Sequence, residues 1–188
     1  MTTVQRPMRA DARRNYERLL AAARDAFAGH GTEASLEDIA RSAEVGIGTL
    51  YRHFPTRRAL IEAVLHDGIV TLDAQARELL ESPSPEEALL EWLRHLMAHA
   101  TTYRGLAVAL MSSIRDPSSE LHGSCETMRR NGDRLLAHAQ RAGAIRPDIT
   151  GVDLVKLVNA IAWAGEYGEN DADRLLDLVA DGLRRRDR

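Results

Sequence analysis

The stretch GIGTLYRHF, residues 46–54, decides how the chain is read. Two glycines, Gly46 and Gly48, open a segment of about two helical turns. It carries one clear core residue, Leu50, among Thr49, Tyr51, Arg52 and His53. A helix so short and polar contributes little to a core, so its side chains serve something outside the fold. Just upstream, Ser35 is followed three residues later by Asp38, an N-cap signature close to a capping box. It predicts a helix over 36–43 that buries Leu36, Ile39, Ala40 and Ala43. Two short helices joined by the tight turn Glu44-Val45-Gly46 make a helix-turn-helix. Ala40 is small where the helices cross, and Ile39, Val45 and Leu50 meet in a miniature core. Thr49, Arg52 and His53 then project outward, with Tyr51 along the flank. The glycines leave the helix N-terminus uncluttered, so backbone N–H groups can approach an anion such as phosphate.

Outward from this pair the pattern stays helical. Residues 1–10 read as a frayed arm bearing Arg6 and Arg9. From Asp11, the apolar positions Tyr16, Leu19, Leu20, Ala23, Ala26 and Phe27 recur at helical spacing until Gly29 or Gly31. Pro55 stops the 47–53 helix, and Thr56 caps a long one to about Ser82, with Leu60, Val64, Ile69, Leu72, Ala76 and Leu79 on its inner side. Pro85 opens a helix over about 86–103, with Leu89, Leu93, Leu96, Ala100 and Tyr103 on one stripe. Further helices are expected over 106–114, 118–142, 151–167 and 171–185. The expectation is an all-α chain of about nine helices with no strand and no repeat.

Composition agrees. Ala, Leu, Arg and Glu dominate, and aromatics are only 4% of the 188 residues, which favours helix over sheet. One cysteine, Cys125, excludes an internal disulfide framework and fits a reducing compartment. The start lacks an apolar secretory segment, and the longest near-apolar run, 157–165, is far too short to span a bilayer and contains Asn159. A cytoplasmic protein is expected. The net charge of −3 hides an asymmetry: residues 1–60 hold ten Arg against seven acidic residues, and the remainder is acidic. A basic head on an acidic body suits nucleic-acid binding.

The run LEDIARSAEVGIGTLYRHFPTRRALIEAV resembles the DNA-binding domain of the TetR family of bacterial transcriptional regulators. The residues that carry the likeness are Ile39-Ala40, Gly48-Thr49-Leu50-Tyr51, His53-Phe54, Arg57 and Ala59-Leu60. It is strong over about 12–65 and beyond that rests only on helical layout. The resemblance implies a homodimer whose recognition helices enter successive major grooves of a palindromic operator. It implies that Thr49, Tyr51 and His53 contact phosphates and base edges, and that Arg57 grips the backbone. Thr32 and Ser35 are further phosphate candidates, and Gly48 permits close approach. Arg52 can read a guanine through its fork; Arg6, Arg9, Arg13 and Arg14 can add phosphate or minor-groove contacts. Two residues depart from the pattern. Glu44 stands where Gly is usual and a left-handed backbone is often needed, at a cost of roughly 1 kcal/mol. Gly46 stands where Ser or Thr often caps the recognition helix. The expected organisation is a DNA-binding head over 1–55 and a helical domain over 56–188.

By the same resemblance, the larger domain binds a small-molecule effector and dimerises. Helix 151–167 presents Val155, Val158, Ile161, Ala162 and Gly165, and helix 171–185 presents Leu175, Leu176, Val179 and Leu183. Two such helices from each chain would form a four-helix bundle; otherwise the stripes face their own core. Trp92, Met97, Tyr103, Met111, Met128, Trp163 and Tyr167 are pocket candidates, with Arg104, Asn159 and Glu166 as polar contacts, although Met and Trp at helical spacing are commonly plain core. His95 and His99 have i, i+4 spacing, but no HExxH accompanies them and no metal or other cofactor is expected. Cys125 reads as a small hydrophobe. No nucleophile or nucleotide motif appears: the GIG at 46–48 lacks its third glycine, with Tyr51 in that place. The expectation is a repressor and not an enzyme. The competing readings are a DNA-binding dimer without an effector and a helical enzyme or carrier with a structural N-terminal domain.

Overall fold

The computed structural model describes residues 5–102, 114–164 and 171–184. Eight α-helices lie among them: α1 (Gln5–His30), α2 (Leu36–Ser42), α3 (Ile47–His53), α4 (Arg57–Leu79), α5 (Pro85–Thr102), α6 (Glu120–Arg141), α7 (Gly151–Ala164) and α8 (Ala172–Leu183). The fold is all-α, as expected. The only extended pairing among the described residues is a single bridge between Ile145 and Arg184. The helix expected over 106–114 lies outside the described residues, as do Tyr103, Arg104, Met111, Gly165, Glu166 and Tyr167.

Local chemistry sets the boundaries. Ser35 Oγ accepts from Asp38 N at 3.2 Å and starts α2, and Thr56 Oγ1 accepts from Ala59 N at 3.1 Å before α4. Thr150 and Asp153 cap α7 reciprocally: Asp153 N donates to Thr150 Oγ1 at 3.3 Å, and Thr150 N donates to Asp153 Oδ2 at 3.0 Å. One expectation is corrected. Residues 5–10 are not an arm but the opening of α1. Pro7 stands in the first turn, where backbone N–H groups have no helical acceptor, so its missing donor costs nothing there.

The described residues form two compact units, one up to Leu65 and one from His66. In the first, α1 packs on α2 and α2 on α3. Leu19, Ala23, Phe27, Ile39, Leu50, Leu60 and Val64 are among its fully enclosed apolar side chains. In the second, α5 packs against α6, α7 and α8. A Cβ at Gly132 of α6 would fall 2.4 Å from Cη2 of Trp92, so the indole of α5 sits directly on that backbone. Across the same unit, the buried Asn131 donates to the buried Asp73 at 2.6 Å, and Arg77 pairs with the other Asp73 oxygen at 2.6 Å. That arrangement satisfies a carboxylate taken out of water.

The stripes expected to leave the chain on α7 and α8 are corrected in part: Val155, Leu175 and Val179 are half-buried. Val158, Ile161, Ala162, Leu176 and Leu183 are buried within their own unit. The exposed apolar side chains on these helices are Val152, Leu157, Trp163 and Leu178, with Trp163 62% and Leu178 58% exposed. A helix that is apolar nearly all round, as α7 is, does not reveal by periodicity which side faces in. At the end of α8 the Arg184 guanidinium bonds to Glu86 at 2.8 Å and to Asp181. No described helix is long and apolar enough to cross a membrane.

Candidate nucleic-acid interface

The interface is built on α3. Leu50 is fully buried, which fixes the rotation of the helix about its axis. The opposite side therefore faces out: Gly46, Ile47, Gly48, Tyr51 and Arg52 are exposed, with Tyr51 46% and Ile47 37% accessible. Thr49 and His53 are half-buried beside them. A Cβ at Gly46 or Gly48 would meet nothing within 4 Å, so nothing in the chain itself requires glycine at either place. Gly46 is the N-cap residue and makes no side-chain cap, which leaves the first N–H groups of α3 open to an external acceptor.

The aromatic and charged residues divide into free and held. Among the described residues Arg52 has no ion pair or hydrogen bond, whereas Arg13 pairs with Glu17, Arg14 with Asp11 and Arg41 with Asp38. All three pairs are exposed, so they are weak and a phosphate can compete for the arginines. His53 is less free than its place in the sequence suggests. Its ring lies 5.9 Å from that of Tyr16, and Tyr16 is 5.2 Å from Phe54. That cluster anchors the end of α3 against α1.

Arg57 is half-buried, and its Nη1 donates to the carbonyl oxygens of Thr32, at 2.9 Å, and of Ala34. Its guanidinium thus holds the segment that leads into α2. Thr32 and Ser35 flank that segment; Ser35 Oγ is engaged as the cap of α2, and Thr32 Oγ1 donates to Glu33 at 3.3 Å.

Glu44 adopts φ +54°, the left-handed conformation expected of this turn. Its N–H bonds to Arg41 O at 3.0 Å and Val45 N–H to Ala40 O at 3.0 Å, the two bonds of a Schellman motif. Arg18 of α1 reaches over and donates to Glu44 Oε2 at 3.0 Å and to the Glu44 carbonyl at 3.5 Å.

Ile47 was not among the sequence candidates. The signal was present: an apolar residue at the first position of a helix whose single core position is already taken by Leu50.

In the second unit Trp92, Met97 and Met128 are buried, while Trp163 is largely exposed. Trp92 Nε1 and His95 Nδ1 are buried with no hydrogen-bond partner among the described residues. Burial pushes the His99 imidazole down to about 4, so it is neutral at ordinary pH. Burial raises the Cys125 thiol, so it is no activated nucleophile. Among the described residues no three metal-capable side chains cluster. An open cleft of about 540 Å³ lies between α4 and α6, lined by His66, Val70, Asp73, Arg77, Ser124 and Thr127; none of the sequence candidates is on it.

Comparison with known proteins points one way. Residues 19–64 match the model for bacterial regulatory proteins of the tetR family, and residues 84–185 match that for the C-terminal domain of SbtR-like transcriptional regulators. The chain is 31% identical over 183 residues to the HTH-type transcriptional regulator UidR of Escherichia coli, covering 94% of this chain and 93% of that protein. It is 29% identical over 157 residues to the transcriptional repressor KstR2 of Mycolicibacterium smegmatis, covering 78% of this chain and 75% of the other. Among solved structures, a TetR transcriptional regulator from Streptomyces coelicolor superposes with a TM-score of 0.72 at 39% identity, covering 91% of this chain and 99% of that one.

Proposed function

The chain belongs to the TetR family of bacterial transcriptional regulators and binds DNA as such a regulator, and we propose that it is a homodimeric repressor released from a palindromic operator by a small-molecule effector. The observation that carries the reading is the division of α3 into a buried Leu50 and an exposed face of Ile47, Gly48, Tyr51 and Arg52. In a helix-turn-helix the N-terminal residues of the second helix meet base edges in the major groove. Arg52, unpaired among the described residues, suits guanine, and Ile47 offers a methyl surface for thymine. Thr49, Tyr51 and His53 supply contacts around them, with phosphates also met by the first N–H groups of α3. Residues 1–55 read the operator, and residues 56–188 dimerise and sense. Arg57 serves the interface by positioning the entry to α2.

Dimerisation uses α7 and α8, through the exposed Val152, Leu157, Trp163 and Leu178. Exposed apolar side chains on two helices that pack together suit a partner. The effector reading is supported by Trp92 Nε1 and His95 Nδ1. Buried polar atoms without partners are uncommon, and a ligand would complete them. An effector that binds better to the conformation unable to span both half-sites lowers DNA affinity by that difference.

The test is selection of bound sites from random duplex DNA, repeated with Tyr51→Ala and at two salt concentrations. The expected result is a palindromic site, lost in the variant, with affinity falling steeply as salt rises. Because Tyr51 is exposed, the variant should keep its melting temperature. An unchanged site in Tyr51→Ala would remove α3 as the reading element. A thermal-shift screen then separates an effector-binding repressor from a dimer that senses nothing.

A further inference from the structure

The chain contains the same helix-ending motif twice, once with the residue that suits it and once without. After α6, Gly143 takes φ +76°, with Gly143 N–H on Gln140 O at 3.0 Å and Ala144 N–H on Ala139 O at 3.1 Å. After α2 the identical pair of bonds forms around Glu44 at φ +54°. A residue with a Cβ is strained there, and glycine is not. The Glu44 turn also precedes α3 by two residues, so its carboxylate lies close to where DNA phosphates must come. Both features work against DNA binding, one because the turn that sets the angle between α2 and α3 is held at a conformational cost and one by repulsion.

We propose that Arg18 is the positioning residue that offsets both, holding the turn and neutralising its charge so that α3 is presented at a fixed angle. Its fork reaches the carboxylate at 3.0 Å and the carbonyl of the strained residue at 3.5 Å, and Asn15 Oδ1 accepts from its Nη2 at 3.1 Å and steadies it. The grip therefore acts on both the side chain and the backbone of Glu44. The pair is exposed, with Arg18 45% and Glu44 82% accessible, and exposed ion pairs add little to folding stability. Its consequence is read in DNA affinity instead.

A double-mutant cycle on the full-length protein decides it, with affinity measured on the duplex selected by the wild type and melting temperature recorded in parallel. Arg18→Ala should lose about tenfold in affinity with its melting temperature unchanged, since leaving a carboxylate unpaired beside phosphates acts on encounter and on the complex. Glu44→Gly in the Arg18→Ala background should restore affinity, because glycine needs neither the backbone grip nor the countercharge. Arg18→Lys should restore it in part, as an ammonium supplies the charge without the fork. An Arg18→Ala affinity equal to wild type overturns the proposal. So does a double variant as weak as Arg18→Ala alone, which would place Arg18 on the DNA itself. So does a melting temperature that falls with the affinity, which would make the pair a matter of folding.

Discussion

His99 shows how far a single side chain can depart from its ordinary behaviour. Burial alone takes it from 6.5 down to about 4. Between those values the unfolded chain binds a proton that the folded chain refuses, so stability falls as pH drops from about 6.5 to about 4. The contribution is on the order of 3 kcal/mol once the lower limit is passed. A pH series of urea denaturations should show the slope in the wild type and a flatter curve in His99→Gln. At the same scale, Glu44 and Arg18 mark what a sequence yields. The left-handed turn was legible, because a helix-turn-helix needs one there. Arg18 was not, because its partner is distant along the chain and nothing in local spacing connects them.

At the scale of the element, α3 is the part most fully written in its sequence. Its bounds follow from Pro55 and from the glycines before it, and its rotation from a single apolar residue, Leu50, whose burial is complete. Gly48 lies inside this helix with open space around it. Gly48→Ala should therefore stabilise the protein by about 0.5–1 kcal/mol through helix propensity. The same change should weaken operator binding, because the methyl group stands on the face that DNA approaches. Stability up and affinity down in one variant, measured by thermal melting and by fluorescence anisotropy, is the signature of a glycine retained for its partner. The opening of α1 was less legible: Pro7 reads as a breaker until its place in a first turn is known.

For the whole molecule, the described residues form two units, and five of the side chains expected to meet a second chain turn inward instead. Helix α7 is apolar on most sides, so the choice between its own core and a second chain depends on packing that no local pattern encodes. The corrected face gives a direct test. Trp163→Glu should leave the fold intact, since the side chain is largely exposed, and on the proposed dimer it should shift sedimentation to the monomer. With one reading head per particle, operator affinity should collapse even though the interface on α3 is untouched. The larger unit yields least to sequence reasoning, because pocket lining and plain core use the same residues; Trp92 and Met97 are buried either way.

Arg57 has a mechanical consequence. One planar guanidinium at the first residue of α4 clasps two backbone acceptors at once, the carbonyls of Thr32 and Ala34. A slack joint would let α4 tilt while the segment before α2 stayed in place, and the motion would be lost. Here a tilt of that end of α4 strains both hydrogen bonds unless residues 32–34 follow it. The first turn of α2 begins immediately after, so the clasp couples the start of α4 to the start of α2 much as a towbar couples two bodies.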